Sequence, residues 1–259
     1  MKTALIQMDI VLGDVEANRK KALAMMERGL RSGAELFVLP EMWTTGYKLD
    51  QIHELGEPED GPSVQMLKSF AGQHKVDVVG GSIAETRGGK VYNTAYAINQ
   101  NGDVVGKYSK IHLIGLMAED KYISPGTSKT MFELGISKVG MIICYDLRFT
   151  ELSRALALGG AQALFVPAEW PAVRGKHWLA LNIARAIENQ MFVIAVNRIG
   201  KDEGNVFFGN SLVINPWGEI MAQGSEDKEE VIIADVDFAS VADIRKRIPV
   251  FADRRPQYY

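Results

Sequence analysis

The sequence is poor in the residues that build disulfides and metal sites. Among 259 residues it has one cysteine, Cys144, and four histidines. A single thiol cannot close an internal disulfide, so a reducing compartment, the cytoplasm, is expected. No Cys/His pair has the spacing of zinc ligands, and no metal is expected. Long apolar runs are also missing: none approaches the roughly 20 residues of a membrane-spanning helix. Met1-Lys2-Thr3-Ala4-Leu5 enters directly into alternation, without the apolar core of a signal peptide. Nor is there a basic excess. Lys and Arg number 29 against 32 Asp and Glu, a net charge of −3, which offers nucleic acid no electrostatic footprint. No Pro/Ser linker or low-complexity run divides the chain, so one domain over residues 1–259 is expected.

What is present is globular in composition, 47% hydrophobic and 24% charged. Short runs of β-formers alternate with helical spacing, which predicts an α/β fold. Residues 3–10 read as a strand. Residues 15–30 read as a helix, with Ala22, Met26 and Leu30 on one stripe and Gly33 closing it. Leu36-Phe37-Val38-Leu39-Pro40 is a short strand that ends just before Glu41. A helix over 63–74 and a strand over 76–83 follow, and Gly80-Gly81 marks a close backbone approach. Strands 91–98 and 104–108 form a hairpin around Asn101-Gly102. Residues 113–129 lack a period and read as a loop near the site. Further on, 164–166, 192–196, 211–214 and 231–236 read as strands, 177–189 as a helix burying Leu181, Ala184 and Ile187, and 238–247 as a short helix. Gly33-Ala34-Glu35-Leu36-Phe37-Val38 is echoed by Gly160-Ala161-Gln162-Ala163-Leu164-Phe165-Val166, which suggests two related βαβ halves.

The stretch around the cysteine organises the rest. Val139-Gly140-Met141-Ile142-Ile143 is a buried strand, and helical spacing begins after Cys144. A nucleophile at a strand-to-helix junction is pushed out of the sheet edge toward a helix N-terminus, where a thiolate is favoured. The alternative is a small buried hydrophobe, against which the flanking Tyr145, Asp146 and Arg148 argue. Glu41 and Lys110 are also expected at strand ends, beyond which open α/β sheets carry their chemistry. Together they make a coherent set. Glu41 would take the thiol proton, Cys144 would attack a carbonyl carbon, and Lys110 with the Tyr145 N–H would meet the oxyanion. On spacing alone, Glu41 and Lys110 could equally form an exposed salt bridge.

Leu39-Pro40-Glu41, Tyr108-Ser109-Lys110-Ile111-His112-Leu113 and Gly140-Met141-Ile142-Ile143-Cys144-Tyr145-Asp146-Leu147-Arg148-Phe149 resemble, in order, the three signatures of the nitrilase, or carbon–nitrogen hydrolase, superfamily. The resemblance continues through Arg185-Ala186-Ile187-Glu188-Asn189-Gln190 and Asn215-Pro216-Trp217-Gly218. It implies a four-layer α-β-β-α sandwich with two pseudo-related halves, a Glu41–Lys110–Cys144 triad, no cofactor, and a homodimer. Glu119 matches a second family glutamate that positions substrate or assists the base; taken alone it reads as a solvated loop charge. Within the superfamily the chain is most similar to the ω-amidase branch, which hydrolyses the terminal amide of 2-oxo acid amides such as 2-oxoglutaramate. Pro167-Ala168-Glu169-Trp170-Pro171-Ala172-Val173-Arg174, then His177-Trp178, is similar to bacterial ω-amidases, including those linked to methionine salvage. Other family activities are the alternatives: a nitrilase, an N-carbamoyl amidohydrolase or a general amidase. Outside catalysis, a binding protein or a thiol redox sensor would also use this fold.

A small anionic substrate needs a cation remote from the reacting carbon. Arg174 fits, since a guanidinium pairs a carboxylate as a fork; a rim salt bridge is its other reading. Trp170 and Tyr145 are expected to wall the pocket, and Phe207 and Phe208 to wall it or fill the core. His112 shares a face with Lys110. It is read as structural, although a Cys144–His112 dyad is conceivable. Asp146 and Arg148 are expected to brace the nucleophile by hydrogen bonds and ion pairing, and His177 to pack at a helix start. The aromatic tail through Tyr258-Tyr259 is a candidate interface element.

Overall fold

Helices and strands alternate along the chain much as the apolar periodicity alternates. The structure is a computed structural model that describes residues 1–258 except Ile136 and Glu203; Tyr259 of the tail lies outside the described residues. The chain begins β1 (Lys2–Gln7), α1 (Val15–Arg31), β2 (Leu36–Val38), a single turn α2 (Ile52–Leu55), α3 (Pro62–His74), β3 (Asp77–Arg87), β4 (Lys90–Ile98) and β5 (Val104–Ser109). It continues α4 (Glu119–Tyr122), β6 (Thr130–Leu134), β7 (Ser137–Met141), α5 (Thr150–Leu158), β8 (Ala163–Ala168), α6 (Gly175–Asn189) and β9 (Phe192–Asn197). The ribbon β10 (Ile199–Asp202) and β11 (Asn205–Phe208), then β12 (Leu212–Ile214), β13 (Ile220–Gln223), β14 (Glu230–Asp235) and α7 (Ser240–Arg247) complete it.

Among the described residues the strands form two six-stranded sheets, ordered β14-β1-β2-β3-β4-β5 and β13-β12-β9-β8-β7-β6. Along the first, the pairings run antiparallel, parallel, parallel, antiparallel, antiparallel. Read from β6 to β13, the second repeats the same series. The echoed segments therefore occupy equivalent places, each after a helix and on a central parallel strand. Their shared Gly-Ala has a local cause. Gly33 and Gly160 both have positive φ, 78° and 99°. Each ends its helix with the same pair of bonds: Gly33 N–H to Leu30 O and Ala34 N–H to Gly29 O, Gly160 N–H to Ala157 O and Ala161 N–H to Leu156 O. This is the Schellman closure, which favours glycine at the left-handed position.

Both sheets are covered on both faces. In β1, Ala4 and Ile6 pack under α1 and α3 with Met26, Leu67 and Phe70, while Leu5 turns to the core between the sheets. In β2, Phe37 lies on the helix side, and Leu36 and Val38 on the inner side. The layers are thus helix, sheet, sheet, helix. A strand buried on both faces reads as a continuous apolar run, which is how β2 and β8 appear in the sequence.

The chain differs from expectation at several edges. Strands β6, β10, β11 and β13 were not anticipated. Ile220 and Met221 of β13 and Val206 of β11 are exposed, so β11 and β13 lack an inward alternation to detect, whereas β6 does alternate, with Phe132 and Leu134 buried on either side of exposed Glu133. The stripe expected to be buried on α6 is displaced. Ile187 is half-exposed, while Trp178, Asn182, Arg185, Ala186 and Asn189 are buried.

Gly80-Gly81 does mark a close approach. The register of β3 shifts between Val79 and Ser82. There Ser82 N–H donates to Pro40 O at 3.1 Å, and Trp43 Nε1 to Gly80 O at 2.7 Å. Gly81 has φ +58°, and a Cβ at this position would lie 2.0 Å from Pro40 O. This grip holds the turn that carries Glu41. Gly81→Ala is expected to lower the melting temperature, because left-handed backbone alone costs about 1–2 kcal/mol and the clash adds to it. A thermal melt indistinguishable from wild type would show that the turn is not held this way.

Candidate active site

Three strand ends from two sheets deliver the site. Glu41 follows β2, Lys110 follows β5 and Cys144 follows β7. Backbone bonds fix the lysine: Lys110 N–H donates to Asn93 O at 2.9 Å and Gly126 N–H to Lys110 O at 2.8 Å. Its side chain is fully buried and its Nζ donates to Glu41 Oε1 at 2.8 Å, to Glu119 Oε2 at 2.9 Å and to Tyr47 Oη at 3.0 Å. Glu41 Oε1 also accepts from Tyr47 Oη at 2.7 Å and Asn93 Nδ2 at 2.8 Å, and Oε2 accepts the Glu169 N–H at 2.8 Å. Glu119 is buried rather than solvated. It receives Lys110 and, at 2.9 Å, the Ile114 N–H, and so ties the following loop to the site.

The charges explain each protonation state. Burial pushes Glu41 up, but Lys110, Tyr47 and the nearby Cys144 thiol outweigh it and hold Glu41 below the ordinary carboxylate range. Burial pulls Lys110 down, and Glu41 and Glu119 more than reverse this, so the ammonium persists. Burial pushes Cys144 well up, and the neighbouring Glu41 charge adds to it against Lys110. The resting group is therefore a thiol. The expected thiolate is corrected here, as is the expected helix at the cysteine. Residues Cys144–Arg148 form a 3₁₀ turn and α5 starts only at Thr150, so no α-helical dipole faces the sulfur.

That turn is held from three sides. Cys144 has φ 44°, a left-handed value, which needs surrounding support. Asp146 Oδ2 accepts from Ile143 N–H at 3.0 Å and from Tyr108 Oη at 2.6 Å. Its Oδ1 meets the His112 N–H at 2.9 Å and His112 Nδ1 at 2.7 Å. Arg185 Nη2 donates to Leu147 O at 2.8 Å. Asp146 therefore braces the turn as expected. His112, paired to Asp146 and stacked on Phe149 at 3.6 Å between centroids, has a structural place.

Above the sulfur lies a small cavity walled by Tyr47, Ile114, Met117, Tyr145, Trp170 and Glu169. Arg148 and Arg174 line it as well. Arg148 does not brace the turn through an ion pair. Its guanidinium stacks 4.7 Å from the Trp170 ring centroid, and both Nη atoms approach His177 Nδ1 at 3.4 Å. Burial and then the Arg174 charge lower its pKa. Among the described residues, neither arginine pairs with a carboxylate. His177 is exposed beside Arg148 rather than packed. Phe207 and Phe208 are buried outside the cavity wall, with Phe207 stacked under Arg198 at 4.4 Å. Among the described residues, no group of acidic, histidine or cysteine side chains could hold a metal ion, and no helix is long and apolar enough to cross a membrane.

Residues 2–246 match the carbon-nitrogen hydrolase family. The chain belongs to that family. A Bacillus subtilis (strain 168) relative, 2-oxoglutaramate amidase, is 44% identical over 98% of this chain and 97% of its own length. Human omega-amidase NIT2 is 34% identical over 100% of this chain and 96% of its own. Among solved structures, Saccharomyces cerevisiae Nit3, a member of branch 10 of the nitrilase superfamily, superposes with a TM-score of 0.91 at 33% identity, covering 98% and 96% of the two chains. The four-layer fold expected from the sequence is this hydrolase fold.

In this carbon–nitrogen hydrolase, the structure brings Cys144, Tyr145, Trp170 and Arg174 to one cavity, while Glu41, Lys110 and Glu119 form a fully buried cluster joined to it through Tyr47 and the Glu169 backbone. Sequence reading overlooked Tyr47, Asn93, Glu169 and the cavity position of Arg148. Asn93 carried a signal, a buried amide amid the apolar run of β4. Glu169 carried another, an acid directly after a buried strand, as Glu41 is. Because the thiol is protonated at rest, iodoacetamide alkylation of Cys144, followed by mass spectrometry, is expected to accelerate with pH, with no thiolate plateau between about pH 6 and about pH 7. A plateau there would mean that Lys110 outweighs burial.

Proposed function

We propose that this hydrolase is an ω-amidase that cleaves the terminal amide of a short 2-oxo acid amide, 2-oxoglutaramate being the leading candidate, to give the dicarboxylate and ammonia. The observation that carries the reading is the Arg148–Arg174 pair, two guanidinium groups without a carboxylate partner among the described residues, lining the same cavity as Cys144. A substrate carboxylate would supply the missing negative charge. The names of the Bacillus subtilis and human relatives support the same substrate class.

The chemistry follows from the charges. As Sγ attacks the amide carbon, the thiol proton passes to Glu41 and a C–S bond forms. The oxyanion is met by Lys110 Nζ and the Tyr145 N–H, fixed donors of a kind whose individual loss typically costs about 3–4 kcal/mol. Glu41 then protonates the leaving nitrogen, the C–N bond breaks, ammonia departs and a thioester remains. Water attacks the thioester while Glu41 takes its proton, then returns it to sulfur as the acid leaves. Lys110 keeps its proton throughout, and Glu119 holds it in place.

We also propose one hydrolase domain over the whole chain, working in the cytoplasm in methionine salvage, and a homodimer. Half-exposed Leu158 of α5 and Ile187 of α6 support an assembly surface on the helical layer. Phe251 of the tail lies against Arg154 and Arg245 of its own chain. Sedimentation at twice the 28.6 kDa chain mass is expected; a monomer would remove the dimer.

Ammonia release assayed on 2-oxoglutaramate, a nitrile and a carbamoyl amino acid separates the family activities, and preference for the nitrile or carbamoyl compound would overturn the reading. Mass spectrometry should detect an acyl adduct on Cys144 during turnover. Arg174→Ala is expected to raise KM for the anionic amide about 10- to 100-fold, corresponding to one lost charged hydrogen bond. The same variant should leave KM for a neutral amide nearly unchanged, and an unchanged KM for the anionic amide would remove Arg174 from recognition. Glu41→Gln should abolish turnover while His112→Asn mainly lowers stability; the reverse pattern would make His112 the base.

A further inference from the structure

Glu169 follows β8 and is almost fully buried, yet the chemistry above uses only its backbone. Its N–H donates to Glu41 Oε2 at 2.8 Å, and its carbonyl oxygen lies 3.9 Å from Cys144 Sγ. Its side chain belongs to a separate network. Arg198 Nη1 reaches Glu169 Oε2 at 3.0 Å, while Arg198 Nη2 reaches Asp9 Oδ1 at 3.2 Å and Nη1 lies 3.9 Å from Asp202 Oδ2. The second carboxyl oxygen of Glu169, Oε1, is buried and has no hydrogen-bond partner. The residue lines the cavity that holds Cys144, Arg148 and Arg174.

A buried carboxyl oxygen without a partner is costly unless a ligand completes it. The state of the group can be argued by counting charges. Asp9, Asp202 and Glu169 surround one guanidinium, so three carboxylates would leave excess negative charge. The side chain of Asp9 is 44% exposed, that of Asp202 6% and that of Glu169 0%. Burial thus disfavours ionisation most at Glu169. Glu41 and Asp202 face it as further negative charges, Arg198 opposes them, and the group is pushed up to about 8. Tyr47 faces it across the cavity and feels its charge. At neutral pH the carboxyl is then an acid, with an O–H to donate and no negative charge to repel an anion.

We propose that Glu169 is a specificity-determining residue whose Oε1 donates a hydrogen bond to the 2-oxo oxygen of the substrate. This rests on the ω-amidase reading above. With the substrate carboxylate on the arginines and its amide at Cys144, the oxo oxygen needs a donor between them. Two other cavity donors are engaged: Tyr47 Oη bonds Glu41, and Trp170 Nε1 bonds Arg174 O at 2.9 Å. The neutral acid supplies that donor and reads the oxo group without opposing the carboxylate.

The test compares kcat/KM on 2-oxoglutaramate with that on glutaramate, which has the same length and charge but a methylene in place of the oxo carbon. Wild type is expected to favour the oxo amide, and the preference should fall as pH rises through about 8, where the O–H is lost. Glu169→Leu is expected to reduce the preference about 10-fold at pH 7. Glu169→Gln leaves Arg198 an acceptor and keeps a side-chain donor, so it should fold even if the leucine variant does not. It should retain the preference at neutral pH and keep it on the alkaline side, where wild type loses it. An oxo preference in Glu169→Gln that declines with pH as in wild type would overturn the role of Glu169 alone. Wild type inactive on both amides but active on another would instead overturn the substrate reading, and this proposal with it.

Discussion

The site depends on one ammonium group kept dry between two carboxyl groups. Lys110 Nζ bonds Glu41 and Glu119 within 3.0 Å, with no solvent exposure on any of the three side chains. A buried charge is tolerated only when paired and hydrogen-bonded, so the surrounding donors have a fixed task. Tyr47 and Asn93 satisfy Glu41, and the Ile114 N–H satisfies Glu119. Removing any partner would leave a charge in a low-dielectric interior. The same electrostatics keep the neighbouring sulfur protonated. Its deprotonation would call on a carboxylate within reach, and the resting cavity carries no thiolate charge beside Arg148 and Arg174.

The fold supplies this arrangement twice over in outline and once in chemistry. The two halves share strand pairings and the glycine closure before β2 and β8. A proline stands at the end of each central segment, Pro40 just past β2 and Pro167 within the last residues of β8, and an acid comes after it, Glu41 directly and Glu169 after Ala168. Only the first acid meets the lysine. The second meets Arg198, and its backbone N–H steadies the first. Similar local sequence thus yields two acids whose pKa values are pushed in opposite directions, because burial dominates at Glu169, which shares a guanidinium with Asp9 and Asp202, while Glu41 faces an ammonium.

Much of this was legible in the sequence. The α/β order, the hairpin at Asn101-Gly102, the closing Gly33 and the tight Gly80-Gly81 all follow from local physics, and the family motifs fixed the order of Glu41, Lys110 and Cys144. What escaped depends on tertiary context. Tyr47 and Asn93 become important only because β2, β4 and β5 converge. Arg148 reads as a bracing residue until the 3₁₀ turn directs it at Trp170. The buried face of α6 was misjudged because Arg185 is drawn inward by the Leu147 carbonyl, against its hydropathy. Edge strands such as β13 lack a one-sided pattern. The thiol state was misjudged because a dipole argument ignores the cost of burial.

Glu41 and Lys110 hang from one sheet, Cys144 and Glu169 from the other. Packed sheets lie about 10 Å apart, a separation set by the side chains between them. Here those include Leu5, Leu36, Val38 and Val79 facing residues of β7 and β8. The hydrophobic filling is in effect a spacer whose thickness sets the gap between Glu41 and Cys144. Proton transfer tolerates far smaller displacements than folding does. A volume change deep between the sheets, remote from any reacting atom, would therefore be amplified into catalytic loss while the molecule still holds together.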